Sequence, residues 1–114
     1  MNDLMRPALY QAHHDILPLQ QSDATAALTE YDIVGPICES TDKFAAKRSM
    51  PEVAPGTRIA FMSSGAYGAV LSSQYNARPL VAEVLVDGDQ YAVVRRRPSF
   101  EQMIELEQMP DWLT

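Results

Sequence analysis

Apolar positions along this chain come in short bursts, broken by Pro, Gly and polar clusters, the pattern of many brief elements. Residues 27–34 alternate best. Thr29, Tyr31 and Ile33 share one face, and β-branched and aromatic types suit a strand. Residues 57–62 alternate as well, with Ile59 and Phe61 opposite Arg58, Ala60 and Met62. Pro55-Gly56 just before them signals a turn. Residues 14–19 read as a strand that Pro18 confines to an edge. Val81–Val86 and Gln90–Arg96 flank Asp87-Gly88, a strong tight-turn pair, and predict a hairpin.

Two helices are expected. Residues 66–75 follow a glycine turn and put Tyr67, Val70 and Leu71 on one side. Residues 99–108 open on Ser99 and Gln102, a capping-box pair, with Phe100, Met103 and Ile104 on one face. Ser40–Pro55 is polar with one or two apolar anchors and reads as a loop with a helical turn. The sum is a mainly β chain of short strands and few helices, which suits a small barrel or sandwich.

At 114 residues the chain is one domain at most. Its formal net charge of -6 argues against nucleic acid or an anionic membrane as the main partner, since phosphate binding needs a basic footprint. The one basic run, Arg95-Arg96-Arg97, reads as a solvated strand edge whose charges discourage pairing. No stretch approaches the apolar length of a membrane span, and Met1–Arg6 lacks a signal-peptide core. The expected compartment is the cytoplasm. A single cysteine, Cys38, excludes an internal disulfide and a zinc cluster.

Three segments carry candidate chemistry. Cys38-Glu39-Ser40-Thr41-Asp42 sets a thiol among carboxylates. An ordinary thiol is mostly protonated at neutral pH, so it suits a proton donor better than a nucleophile. The plainer alternative is a small buried hydrophobe beside a polar turn. Ser63-Ser64-Gly65-Ala66-Tyr67-Gly68 joins a strand to a helix, and helix amides there can hold a phosphate. It lacks the P-loop lysine, and a simple tight connection explains it too. Arg6 and Tyr10 stand four residues apart. The arginine can clamp a carboxylate through two hydrogen bonds, or it can simply be solvated beside a half-buried phenol. His13-His14 suggests no metal site, because neighbours on a strand face opposite ways.

Four motifs, taken in order, resemble the C-terminal region of the diaminopimelate decarboxylases. They are Met1–Tyr10, Val34–Asp42, Gly65–Gly68 with Ser72–Asn76 and Arg78-Pro79, and Glu83–Gly88. These enzymes depend on pyridoxal 5'-phosphate and pair a cofactor-binding barrel with a β domain, as alanine racemase and eukaryotic ornithine decarboxylase do. The resemblance implies a Greek-key-like β-barrel or sandwich over residues 1–114, serving as the C-terminal domain. It implies that Cys38 is the catalytic proton donor, reaching the partner subunit's cofactor across a homodimer interface. Glu39 would take the distal amino group of a small amino-acid substrate. Arg6 and Tyr10 would bind substrate, Arg6 through a carboxylate. Tyr67 would touch substrate and cofactor. Ornithine decarboxylases carry Cys-Asp where this chain has Cys38-Glu39, so the diaminopimelate branch matches better.

The implied parent reaction converts meso-2,6-diaminopimelate to L-lysine and carbon dioxide. The barrel, its cofactor-bearing lysine and its glycine-rich phosphate loop have no counterpart here. The only lysines, Lys43 and Lys47, lie in no matching motif. The chain is therefore expected to be a C-terminal fragment, inactive by itself and without covalently bound cofactor. Two alternatives are a stand-alone β scaffold that lost catalysis and a decarboxylase of another basic amino acid.

Overall fold

The computed structural model describes residues 1–20 and 25–113. They form two compact units, Met1–Ser72 and Ser73–Thr114.

The first unit holds helix α1 (Arg6–Tyr10), strands β1 (Ile16–Pro18), β2 (Leu28–Val34), β3 (Lys43–Pro51) and β4 (Ile59–Phe61), and helix α2 (Gly68–Leu71). β1 and β4 pair antiparallel, Ile16 opposite Phe61 and Pro18 opposite Ile59. A two-stranded ladder is all edge, which is where Pro18, lacking an N–H, is tolerated. Ala54–Thr57 closes the turn before β4. Pro55 and Gly56, the latter at φ +87°, occupy its centre, and the Thr57 N–H reaches the Ala54 carbonyl at 3.1 Å. Leu4, Ile16, Ile37 and Met50 are buried, and the Phe44 and Phe61 rings meet with centroids 4.9 Å apart.

β3 corrects the loop expected over 40–55. Its Lys, Ala, Arg and Ser residues have weak strand preference and no clean alternation, so no local signal marks it. Its partner makes the strand. β2 pairs with β3 from Leu28 opposite Pro51 to Val34 opposite Lys43, with bulges near Asp32 and Ile33. At the bulge Lys47 takes φ +47°, and its N–H donates to Asp32 at 2.9 Å. The Lys43 Nζ reaches the same carboxylate at 3.2 Å. These contacts, the Lys47 amide first, hold the Asp32 carboxyl below the ordinary range.

The helix expected over 66–75 is only four residues long, followed by a 3-10 turn at Tyr75–Ala77. Ser72 turns extended, and its hydroxyl donates back to the Ala69 carbonyl at 2.6 Å, competing with helix continuation. Tyr67 lies before the helix, and Val70 is 80% exposed, so the expected packed face does not form.

The second unit holds strands β5 (Glu83–Asp87) and β6 (Gln90–Arg95) and helix α3 (Phe100–Ile104). The hairpin forms where expected, but its loop is Gly88-Asp89, since Asp87 still pairs with Gln90. Gly88, at φ +59°, takes the left-handed first position of a type II′ turn. Arg95 is not merely solvated. It stands opposite Glu83 and pairs with its carboxylate at 2.7 Å. Helix α3 opens with both arms of the Ser99–Gln102 capping box. It ends at Ile104 rather than 108, and Glu105 and Glu107 after it carry the wrong charge for a helix C-terminus.

The chain is thus mainly β with few short helices, as expected. Among the described residues the strands form three separate two-stranded ladders and no closed barrel. No helix among them is long and apolar enough to cross a membrane.

Candidate functional site

Arg6 and Tyr10 come together because they lie four residues apart on α1 and so share one face. Pro7 suits the first turn of that helix, and Gln11 ends it in the left-handed region at φ +60°. The sequence reading did not assign this helix, although Pro7 and the four-residue spacing signal it. The Arg6 Nε donates to the Tyr10 hydroxyl at 2.6 Å, and the guanidinium carbon lies 5.7 Å from that ring's centroid.

Tyr67 reaches the same guanidinium from 61 positions away. Its ring centroid is 5.9 Å from the Arg6 carbon, so two phenol rings flank one cation. The turn after β4 puts it there. Ser63 and Tyr67 both take left-handed φ, +54° and +60°. The Ser64 hydroxyl donates to the Phe61 carbonyl at 3.0 Å, and buried Gly68 packs its backbone near Leu4, where a Cβ would meet Leu4 at 3.2 Å. Non-glycine residues in that backbone region are uncommon and collect at functional turns. With Nε committed to Tyr10, the terminal Arg6 nitrogens form the edge that can grip a carboxylate.

His14 supports this turn, and the sequence reading missed it. It is buried, and its Nδ1 lies 2.9 Å from the Met62 carbonyl. A carbonyl only accepts, so Nδ1 carries the proton. The Met62 N–H in turn donates to the Asp15 carbonyl at 2.8 Å. His14 and Ile16 are both buried, but no local signal in the sequence marks the histidine's distant partner. His13, which like His14 lies ahead of β1, is not buried with it. It is exposed beside Asp15 at 3.1 Å and Arg48 at 3.4 Å.

Cys38 and Glu39 occupy a separate loop between β2 and β3. Cys38 is exposed in this chain. Glu39 is half-buried, and its carboxylate accepts from the Thr41 hydroxyl. The loop is closed by the Gly35 N–H on the Asp42 carbonyl at 2.8 Å and the Asp42 N–H on the Glu39 carbonyl at 3.0 Å. The Ile37 N–H donates to the Asp42 carboxylate at 2.7 Å. The described contacts join Arg6, Tyr10 and Tyr67 into one cluster and leave Cys38 and Glu39 in another. An open groove of about 510 Å³, lined by Pro7, His13, Lys43, Phe44 and Arg48, includes none of the five.

Over residues 1–65 the chain matches the family described as pyridoxal-dependent decarboxylase, C-terminal sheet domain. The chain belongs to this family. Among curated members, it is 49% identical to the diaminopimelate decarboxylase of Zymomonas mobilis over 113 residues, 99% of this chain and 26% of that protein. It is similar to the solved diaminopimelate decarboxylase of Helicobacter pylori complexed with L-lysine, at 41% identity and TM-score 0.83, covering 94% of this chain and 26% of that one. The M. jannaschii enzyme in co-complex with L-lysine superposes over 100% of this chain and 26% of its own, at 32% identity and TM-score 0.89. The chain spans about a quarter of the length of the curated decarboxylases it matches.

Proposed function

We propose that residues 1–114 serve as the C-terminal β domain of a diaminopimelate decarboxylase, which converts meso-2,6-diaminopimelate to L-lysine and carbon dioxide in the cytoplasm. Arg6, held by Tyr10 and flanked by Tyr67, is the observation that carries this reading. A diacid diamine offers a carboxylate for such an arginine and an ammonium for Glu39. Likeness to enzymes solved with L-lysine supports the same chemistry.

Pyridoxal phosphate, when bound, supplies the electron sink for the charge left on the α carbon as carbon dioxide departs. The exposed Tyr67 phenol beside a guanidinium fits a contact with the cofactor's anionic side. The two lysines do not fit as its covalent anchor. Lys43 is paired with Asp32, and Lys47 sits in the exposed β-bulge. That anchor belongs to a barrel elsewhere in the longer protein, and the sheets described here complete their Greek-key barrel or sandwich in that setting.

In this reading Arg6 grips a substrate carboxylate, Tyr10 orients Arg6, and Glu39 takes the distal ammonium. Cys38 gives its Sγ proton to the α carbon, acting in the partner subunit's site of a homodimer. A measurement of carbon dioxide release by the barrel-bearing protein tests this. Meso-diaminopimelate should be decarboxylated, and Arg6→Ala should cost about 10- to 150-fold in kcat/KM. Equal turnover of ornithine, arginine or lysine would overturn the assigned substrate.

A further inference from the structure

We propose that Asp42 is the positioning residue of the Cys38–Glu39 loop, and that position 35 is glycine because the Asp42 carboxylate fills the space a side chain would need. The functional weight of this inference rests on the proposed roles of Cys38 and Glu39; its geometry does not.

Asp42 is 3% exposed, and its carboxylate turns back into its own loop. Oδ2 accepts the Ile37 N–H at 2.7 Å. A carboxylate is acceptor-only, so it takes that amide without offering a competing donor. The same residue closes the loop with its backbone, accepting from Gly35 at 2.8 Å and donating to the Glu39 carbonyl at 3.0 Å. The Glu39 N–H reaches the Ile37 carbonyl at 2.8 Å. Cys38 is thus the exposed residue between two fixed neighbours, buried Ile37 and half-buried Glu39. A Cβ built on Gly35 would collide with both oxygens of the Asp42 carboxylate. The carboxylate cannot yield without releasing the Ile37 amide, so glycine at 35 and aspartate at 42 are one device.

Hydrogen exchange on the 114-residue chain tests it, with Cys38 alkylation by iodoacetamide as a second readout. In Asp42→Ala, exchange at residues 37–39 should rise about 10- to 100-fold relative to β1 and β4, and the alkylation rate should change with it. Gly35→Ala should produce the same loss in the native background, yet add less than about threefold in the Asp42→Ala background, because the clash is then gone. Asp42→Asn keeps one acceptor oxygen and should restore most of the protection at Ile37. If Asp42→Ala unfolds the whole chain, Asp42→Asn decides: protection near native supports the assignment, and its loss overturns it. Unchanged exchange at Ile37 in Asp42→Ala, or a Gly35→Ala effect equally large in both backgrounds, would also overturn it. None of these readouts needs turnover. Full turnover by Cys38→Ala in the barrel-bearing protein would sink the proton-donor role and leave the Asp42 assignment standing.

Discussion

Arg6 shows what a single residue needs before it can serve as a ligand group. A free arginine samples many rotamers, and ordering them costs up to about 2 kcal/mol. Here the Tyr10 hydroxyl and two ring faces already restrict it. Cys38 and Glu39 are separable by kinetics. In the barrel-bearing enzyme, Cys38→Ala should leave cofactor absorbance intact and slow product formation by about 10²- to 10⁴-fold. Glu39→Ala should also erode discrimination between diaminopimelate and shorter diacids, by about 10- to 150-fold in the ratio of kcat/KM values. Stopped-flow absorbance and product assays separate the two. Asp32 predicts a pH effect. Its folded pKa is lowered, chiefly by the Lys47 amide and then by Lys43. The contribution is therefore fully present above the ordinary carboxylate value and drains away as pH falls through the lowered one. Asp32→Asn should lower the thermal midpoint at neutral pH and bring it close to that of the native chain at strongly acidic pH. A difference that persists unchanged in acid would contradict this.

The elements are short, so their ends decide them. Helix α3 has five residues and depends on Ser99 and Gln102 for its first turn. Ser99→Ala should cost about 0.5–2 kcal/mol locally, read as faster exchange at the Gln102 amide. Gly88 is the corresponding point in the hairpin. At φ +59° a β-branched residue meets its own backbone, so Gly88→Val should destabilise β5–β6 by about 1–2 kcal/mol, while Gly88→Asn should be spared most of that. Equal exchange in the two variants would mean that the turn does not limit the hairpin. β3 is the opposite case, a strand that its neighbour stabilises through the ladder and the Asp32 contacts.

At the scale of the molecule the two units differ in kind. All four buried apolar residues among those described, Leu4, Ile16, Ile37 and Met50, belong to Met1–Ser72. In the second unit Leu85, Val86, Tyr91 and Leu106 are exposed. Ile16→Ala should therefore cost about 2–5 kcal/mol in chemical denaturation, whereas Leu85→Ser should stay within about 0.5 kcal/mol. Apolar surface of that extent drives association. Analytical ultracentrifugation of the native chain should show reversible self-association that Leu85→Ser weakens. A clean monomer at high micromolar concentration would count against it.

Local chemistry determined much of this protein in advance. Alternation in 27–34 gave β2, Pro55-Gly56 gave the turn before β4, the Gly88 region gave the hairpin, and Ser99 with Gln102 gave the start of α3. Each is readable because its cause lies within a few residues: a side-chain period, a φ that glycine permits, a hydroxyl near an open amide. The four motifs likewise marked the family, since they are strings of sequence. Tertiary structure decided what depends on distant partners. β3 exists because β2 offers a ladder to weak strand formers. α2 stops at four residues because Ser72 bonds backward and Val70 has no core to meet. Tyr67 joins Arg6 across 61 positions, and His14 is held by a carbonyl 48 positions away. No period or spacing in the sequence encodes such contacts; they arise only when the folded chain brings the separate segments together.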